Sequence, residues 1–289
     1  MDISGKTALT GLIGSPVSHS ISPKMHNLSF RILGLDCVYL AFDLGRSSLE
    51  QAVYGLRELG VKGYNVTMPY KTAILKYMDE LTPAAQLAGA CNTVILRDGR
   101  MIGHTTDGAG FMGSVRDYGH NIIGRKMSIL GAGGAATAIV SQAALDGVAQ
   151  IDIFRRKRPE AFERTVAFAD NVQYRTGCAI NVYDFADTAQ MGKSFGESAI
   201  LVNATSIGMA PDIDACPLSS ASLLHPDLIV YDIIYNPRRT ELYRMAERVG
   251  CPTYNGESMI LFQGAESFRC WTGMDMPVDQ IRDQIVAPT

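Results

Sequence analysis

Short apolar or β-branched runs alternate with segments of helical period along the whole chain. In the N-terminal part, the pattern predicts strands at residues 9–13, 38–42, 63–66 and 93–96, with helices between them. The helix after Ile21 is expected to be capped by Ser22, with Pro23 at its first position, where a missing N–H is tolerated. Alternation of this kind is typical of an α/β fold with mostly parallel sheets.

A second α/β unit is predicted to start at the apolar run 126–130. A glycine-rich turn and a helix to about residue 145 follow, and further strands are predicted at 150–154, 199–202 and 228–231. After Gly256 the apolar residues are spaced to bury one face of a helix: Met259, Leu261, Phe262, Ala265 and Phe268. We expect the C-terminal helices to return to the first domain, which gives a substrate-binding domain of 1–106 plus 256–289 and a Rossmann-like NAD(P)-binding domain of 107–255.

Length and composition agree with two ordinary globular domains. The chain has 289 residues, of which 47% are hydrophobic and 19% charged. Its net charge of -3 provides no general attraction to nucleic acid or to an anionic membrane. We therefore expect a small-molecule substrate as the partner, with no nucleic acid and no membrane.

The six cysteines are widely spread, without a C-x-x-C pair or a histidine at zinc-ligand spacing. Free buried thiols in a reducing compartment are the simplest interpretation, and no metal site is expected. The first residues lack the charged and then apolar arrangement of a signal peptide, and we expect a cytoplasmic protein.

The glycine-rich turn is suited to a dinucleotide. Gly131 permits a tight turn after the strand, Gly133 lets a phosphate approach the backbone, and Ala136 lets the helix pack closely on the strand. The helix N-terminus would then present free N–H groups and the positive end of its dipole to the pyrophosphate. A plain strand-to-helix turn without a ligand is the alternative.

Cofactor choice depends on the end of the next strand, where a side chain meets the adenosine ribose. Asp152 has about the right spacing for NAD but falls inside the predicted strand rather than at its end. The strand instead ends in the basic run 154–158, whose cations suit the 2′-phosphate of NADP. A solvated basic turn is the alternative, so the sequence allows NADP or NAD.

Four polar segments lie near the predicted strand ends of the first domain, at 18–23, 65–71, 90–93 and 103–108. In open α/β sheets, ligands bind outside the carboxyl ends of the strands. Hydroxyl and amide side chains dominate these segments, and Lys71 and Asp107 add one cation and one carboxylate. The set indicates a ligand that is a small acid rich in hydroxyl groups.

Together these motifs resemble the ordered signature of the shikimate dehydrogenase family. The resemblance runs from about residue 9 to about residue 275, and its branch-specific parts, 230–237 and 271–273, are similar to shikimate/quinate dehydrogenases. The motifs that carry it are Gly14-x-Pro16-x-x-His19-Ser20-x-Ser22-Pro23-x-x-His26-Asn27, Asn65-Val66-Thr67-x-Pro69-x-Lys71, Asn92-Thr93, Thr106-Asp107-Gly108, the Gly131 turn and Gln263-Gly264-Ala265.

The resemblance implies a role for each matching residue. Lys71 would be the proton shuttle and Asp107 would hold it in place at the reacting hydroxyl. Ser20 and Ser22 would bind the substrate carboxylate, and the remaining substrate contacts would be Thr67, Asn92, Tyr235 and Gln263. The implied cofactor-binding residues are Gly131, Ala132, Gly133, Gly134, Ala135, Arg155, Arg156, Lys157, Thr205, Ile233 and Gly256.

The activity implied is the reversible NAD(P)-dependent oxidation of shikimate to 3-dehydroshikimate, of quinate to 3-dehydroquinate, or of both, by a monomer or homodimer. Two alternatives stay open: a dehydrogenase for an amino analogue of these acids, and a non-catalytic regulator that senses the dinucleotide. Without the motif context, Lys71 fits a solvated helix position, Asp107 fits a helix N-cap, and His19 is interpreted as structural. The chain departs from the family where Thr105 replaces the usual Asn and where 155–157 reads Arg-Arg-Lys.

Overall fold

The computed structural model describes residues 3–45 and 47–285. The chain divides into two compact units, one formed by Met1–Phe111 with Ile260–Thr289 and the other by Met112–Met259. The last segment of the chain therefore belongs to the first unit, although it follows the second unit in sequence. In the part of the chain that the structure describes, no helix has both the length and the apolar character that a membrane crossing needs.

The first unit is built on a six-stranded sheet with the order β2-β1-β3-β5-β6-β4. β1 runs parallel to β2 and β3, whereas β5 is antiparallel to β3 and β6. The strands are β1 (Ala8–Gly14), β2 (Cys37–Asp43), β3 (Gly63–Val66), β4 (Glu80–Leu81), β5 (Thr93–Arg97) and β6 (Arg100–His104). The helices are α1 (Ser22–Ile32), α2 (Leu49–Glu58), α3 (Pro83–Ala88), α4 (Asp107–Asp117), α9 (Glu257–Thr272) and α10 (Val278–Ile285), with a short 3-10 helix at Ala73–Tyr77; α4 and α9 each extend into the second unit.

The reversal of β5 brings the polar segments to one edge of this sheet. Asn65 of β3 lies opposite Thr93, the first residue of β5, and Thr93 lies opposite His104, the last residue of β6. The expectation that all four polar segments follow strand ends was therefore wrong for 90–93, which precedes its strand. Because β5 is antiparallel, its beginning nevertheless lies beside the ends of β3 and β6.

The second unit is a sheet of six parallel strands in the order β12-β11-β10-β7-β8-β9. Its strands are β7 (Lys126–Leu130), β8 (Gln150–Arg155), β9 (Ala179–Asp184), β10 (Ile200–Asn203), β11 (Ile229–Asp232) and β12 (Thr253–Tyr254). The helices are α5 (Gly134–Leu145), α6 (Pro159–Thr176), α7 (Thr188–Glu197) and α8 (Glu241–Val249), with a 3-10 turn at Ala221–Leu223. This Rossmann-like unit confirms the predicted fold class, and its central strands were predicted correctly.

Helix α9 is fixed to the first sheet through aromatic packing and one hydrogen bond. The Trp271 indole Nε1 donates to the carbonyl of Val94 at 3.0 Å. A side chain at Gly63 would overlap the Trp271 ring, so the glycine is needed for this close approach. Phe268 and Tyr39 are fully buried in the same cluster. The C-terminal segment thereby supplies core to the first unit as well as residues for its polar edge.

The start of α1 differs from its prediction. Ile21 occupies the N-cap position, Ser22 is the first helical residue, and Pro23 follows it in the first turn. The Ser20 hydroxyl accepts a hydrogen bond from the Ser22 backbone N–H at 3.2 Å, and no side chain among the described residues forms a cap hydrogen bond to this helix. The predicted cap was therefore wrong. All six cysteines are free thiols, four of them buried and two half-buried, as expected.

A charged residue lies in the interior of the second unit. Asp152 in β8 has no exposed surface, and its carboxylate forms an ion pair of 2.8 Å with Lys126. Ser194 and Asn181 donate to the same carboxylate at 2.6 and 2.9 Å. Burial alone would raise the pKa of Asp152, but these bonds outweigh it and hold that pKa below its ordinary value. Asp152 is therefore a structural residue, not a ribose ligand.

We expect Asp152→Ala to destabilise the protein by about 3 kcal/mol, because it leaves the Lys126 ammonium buried without its main partner. Since the folded-state pKa of Asp152 is lowered, its stabilising contribution is complete above the pKa of an unfolded aspartate, about 3.9, and is lost as the pH falls. Chemical denaturation at pH 7 and at low pH measures both effects. Glu197→Gln, which removes the exposed second partner of Lys126, is the control and should shift the midpoint little. Equal effects of the two variants would contradict the assignment.

Candidate active site

An ion pair stands at the polar edge of the first unit. The Lys71 ammonium lies 2.7 Å from one carboxylate oxygen of Asp107, and their side chains are 32% and 11% exposed. Lys71 lies in the turn after β3, not in a helix, and its carbonyl accepts from the Cys91 N–H at 2.8 Å. Asp107 is the first residue of α4, where the helix dipole stabilises a carboxylate. The solvated-helix interpretation of Lys71 is therefore wrong.

Asn92 holds the other oxygen of Asp107. Its side-chain amide donates to the Asp107 Oδ1 at 2.7 Å. The amide oxygen of Asn92 accepts from the Thr106 backbone N–H at 2.8 Å and from the Thr93 hydroxyl at 3.0 Å. These bonds fix both the position and the flip of the amide, so one Asp107 oxygen is committed to Asn92 and the other faces Lys71.

Helix α9 contributes to the same cluster. Gln263 accepts from the Asn92 amide at 3.2 Å. One turn further along the helix, the buried Ser267 hydroxyl lies 2.9 Å from the Asn65 amide and 2.9 Å from the Thr93 hydroxyl. Ser267 was missed by the sequence analysis, although its position four residues after Gln263 places it on the same helix face. These hydrogen bonds tie α9 to β3 and β5 next to Asn92, whose amide supports Asp107.

The other predicted substrate residues of this unit lie at the same edge of the sheet. Ser20 and Ser22 are half-buried where α1 begins, and Thr67 follows β3, next to the end of β1. A side chain at Gly14 would overlap the methyl group of Thr67, so glycine is required for this close approach. Two hydroxyls beside a helix N-terminus suit an anion such as a carboxylate. The edge thus offers groups for an acid at one point and a proton-transfer pair at another.

The second unit contains a cavity of about 390 Å³ at the carboxyl ends of β7, β8 and β10. Gly131 opens it with φ of 101°, and a Cβ there would lie 2.8 Å from the Ala204 carbonyl oxygen. A Cβ at Gly133 or Gly134 would meet no atom within 4 Å. The turn is therefore closed behind Gly131 and open in front of α5, which is the arrangement a dinucleotide pyrophosphate requires.

The basic residues at and after the end of β8 differ in what they contact. The Arg155 guanidinium donates to the Ala132 carbonyl at 3.1 Å and to the Thr165 hydroxyl at 2.9 Å, so it braces the glycine turn. Arg156 and Arg158 line the cavity, whereas Lys157 is exposed and does not. Arg158 was not among the predicted cofactor residues.

The remaining predicted residues of the second unit are spread over four places. Thr205 lines the cavity, and its hydroxyl donates to Asn203 at 2.7 Å. Ile233 and Gly256 are neighbours, because a side chain at Gly256 would overlap the Ile233 carbonyl. Tyr235 is 50% exposed in the loop after β11. Gly134 and Ala135 belong to the first turn of α5 and do not line the cavity.

Comparison with known proteins identifies the relatives of this chain. Residues 12–94 match the model of the shikimate dehydrogenase substrate binding domain, and residues 256–286 match that of the shikimate 5'-dehydrogenase C-terminal domain. A shikimate dehydrogenase (NADP(+)) of Listeria innocua is 49% identical over 97% of this chain and 96% of its own length. The chain belongs to the shikimate dehydrogenase family. It is therefore an oxidoreductase with the two-domain fold of that family.

Other relatives differ in the substrates and cofactors that they are named for or crystallised with. A quinate/shikimate dehydrogenase of Escherichia coli is 41% identical over 98% of both chains. The crystal structure of shikimate 5-dehydrogenase from Listeria monocytogenes in complex with shikimate and NAD is 48% identical, covers 99% of this chain and 98% of its own, and has a TM-score of 0.95. Family members therefore include both NADP(+)-named enzymes and one crystallised with NAD.

Two glycine variants of the second unit distinguish the effect of backbone strain on stability from the effect of lost space on phosphate binding. Gly131→Ala should destabilise the protein by about 1–3 kcal/mol, because the backbone at this position is left-handed and a Cβ would press on Ala204. Gly133→Ala has room for its methyl group and should leave the melting temperature nearly unchanged, yet weaken NADP binding because the methyl occupies the phosphate's space. Thermal melting and fluorescence titration with NADPH measure the two effects. Full NADPH affinity in Gly133→Ala would contradict the assigned turn.

Proposed function

We propose that this protein catalyses the reversible NAD(P)-dependent oxidation of shikimate to 3-dehydroshikimate and of quinate to 3-dehydroquinate. The observation that carries the proposal is the Lys71–Asp107 pair, held at 2.7 Å in a cluster of amide and hydroxyl groups. The names of the relatives support both acids as substrates.

Oxidation of a secondary alcohol removes a hydride from carbon and a proton from oxygen, so a proton acceptor must contact that oxygen. Bound NAD(P) supplies the hydride acceptor. In the proposed mechanism the neutral Lys71 amine takes the hydroxyl proton as the C=O bond forms, and in the reverse direction its ammonium returns the proton. Asp107 orients the Lys71 Nζ, while Asn92 prevents the carboxylate from rotating. With Lys71 protonated, the substrate hydroxyl donates to Asp107; with the amine neutral, the same hydroxyl gives its single proton to Lys71 and Asp107 accepts from Nζ.

Substrate selection depends on the polar groups around that pair. Ser20 and Ser22 bind the substrate carboxylate, and Thr67, Asn92 and Gln263 bind ring hydroxyls. Tyr235 contributes from the cofactor-binding domain. Because the groups of the first unit are fully or partly buried, an analogue without a hydroxyl leaves them unpaired and is rejected. An acid that carries an amino group instead is the alternative substrate class.

Cofactor binding is assigned to the cavity of the second unit. The pyrophosphate lies on the glycine turn at residues 131–135, and Thr205, Ile233 and Gly256 contact the rest of the dinucleotide. Arg156 binds the 2′-phosphate of NADP, assisted by Arg158, and Arg155 acts by bracing the turn. NAD, which lacks that phosphate, is bound through the same turn.

We infer a cytoplasmic enzyme that is a monomer or homodimer, with residues 1–106 plus 256–289 binding the substrate and 107–255 the cofactor. The six free thiols are compatible with a reducing compartment. Light scattering coupled to size-exclusion chromatography distinguishes a chain of 31.3 kDa from its dimer.

Replacement of the lysine tests the mechanism. We expect Lys71→Ala to lower kcat by about 10²–10⁴-fold, because the proton acceptor is lost, with KM for shikimate changed only a few-fold. Lys76→Ala removes an exposed cation of the neighbouring 3-10 helix and serves as the matched control with normal kcat. Steady-state assays with shikimate and with quinate, each with NADP and NAD, provide the measurement.

Two results of these assays would overturn the proposal. An unchanged kcat in Lys71→Ala would show that the lysine is not the proton acceptor. Absence of turnover with all four combinations of acid and cofactor in the wild-type protein would favour an amino analogue of shikimate or quinate as the substrate if such a compound is oxidised, or a dinucleotide sensor if NADPH still binds.

A second pair of variants tests the basic run. Arg156→Ala should weaken NADP(H) binding by about tenfold and leave NAD(H) binding nearly unchanged, since one charge-assisted contact to the 2′-phosphate is lost. Lys157→Ala, whose side chain lies outside the cavity, should change neither. Titration calorimetry with both cofactors measures the ratio. Equal losses for NADP and NAD in Arg156→Ala would contradict phosphate recognition.

A further inference from the structure

Three potential metal ligands of the first unit lie together, although the sequence shows no ligand spacing. One ring nitrogen of His104, a carboxylate oxygen of Glu266 and the Cys270 Sγ are all within 4.8 Å of one another. His104 ends β6, whereas Glu266 and Cys270 are separated by one helical turn on α9 and lie on one face. None of the three side chains belongs to the proposed proton-transfer pair or to its side-chain hydrogen bonds, although the His104 backbone carbonyl accepts from the Asn92 N–H at 3.1 Å.

We propose that His104, Glu266 and Cys270 form a binding site for Zn²⁺ that is separate from the catalytic residues. A nitrogen, an oxygen and a sulfur donor are the ligand set that a borderline-soft divalent cation prefers, whereas Mg²⁺ and Ca²⁺ prefer oxygen alone. Three protein ligands leave the fourth tetrahedral position to water. The site joins the end of β6 to α9.

The surroundings of His104 are those of a ligating imidazole. The Thr82 hydroxyl lies 2.8 Å from Nδ1 of His104. When Nδ1–H donates to that hydroxyl, the lone pair of Nε2 is available to a metal, and such a hydrogen bond accompanies most metal-binding histidines.

Two features oppose the cation and set the strength of the site. Arg269 pairs with the Glu266 carboxylate at 2.7 and 2.9 Å, and this bond must open or share its oxygen with the metal. Burial raises the pKa of the Cys270 thiol to about 11, so zinc must displace a proton to gain the thiolate. Of the three ligands, Cys270 alone lines a surface cavity of about 610 Å³.

The experiment is a titration of chelator-treated wild-type protein with Zn²⁺ alone, without substrate or cofactor, by calorimetry and by thermal melting. We expect one equivalent to bind and to raise the melting temperature, because only the folded chain assembles the three ligands. Mg²⁺ should have no effect. Co²⁺ should give a thiolate-to-metal absorption band in the near ultraviolet that is lost in Cys270→Ser.

Variants distinguish this site from other thiols. Cys270→Ser should weaken zinc binding at least about tenfold, whereas Cys216→Ser, which alters the other half-buried cysteine, should bind as the wild type does. Arg269→Gln should tighten binding by removing the competitor for Glu266. The proposal is overturned if wild-type protein binds no zinc, if Cys270→Ser binds with unchanged affinity, or if Cys216→Ser abolishes binding. Since no turnover is measured, these outcomes are independent of the proposed dehydrogenase activity.

Discussion

The Asp107 carboxylate is shared between two donors, with Asn92 on one oxygen and Lys71 on the other. A mostly buried carboxylate is unfavourable unless it is paired and hydrogen-bonded, and here both conditions are met. The same arrangement leaves the Lys71 Nζ partly exposed at the polar edge, where a substrate hydroxyl can reach it. Asn92 is itself held in place, because Thr93, Thr106 and Gln263 contact it directly.

The topology of the first sheet supplies this arrangement. An antiparallel β5 between β3 and β6 places the start of one strand beside the ends of two others. Helix α9 then crosses the same region with Gln263 and Ser267, although it comes from the far end of the chain. Trp271 and Gly63 fix the distance between helix and sheet, so a close approach in the core determines where the polar groups of α9 lie.

The sequence was most informative where the local pattern alone decides the structure. The buried central strands were predicted because both of their faces are apolar, and the glycine turn was predicted because Gly131 must adopt a left-handed conformation. The short edge strands β4 and β12, with two residues each, and the half-polar β9 carry no comparable signal. The capping role of Ser22 was wrong, because Ser22 is already the first helical residue and Ile21 occupies the N-cap position.

The contacts between distant segments could not be predicted from spacing. Three features depend on tertiary packing: the hydrogen bonds of Ser267, the different contacts of Arg155, Arg156 and Arg158, and the clustering of His104, Glu266 and Cys270. Lys71 and Asp107 were recognised from motifs, and their contact was expected from the family resemblance, but the dependence of that contact on Asn92 became apparent only in the structure. The motifs thus indicated the proposed reacting groups, and the fold shows what positions them.

The most direct test is a crystal structure of the protein with shikimate and NADP bound. The account predicts that the Lys71 Nζ and an Asp107 carboxylate oxygen both lie within about 3.2 Å of one and the same substrate hydroxyl oxygen. A complex in which that hydroxyl contacts neither side chain, or in which the two side chains contact different groups of the substrate, would contradict it.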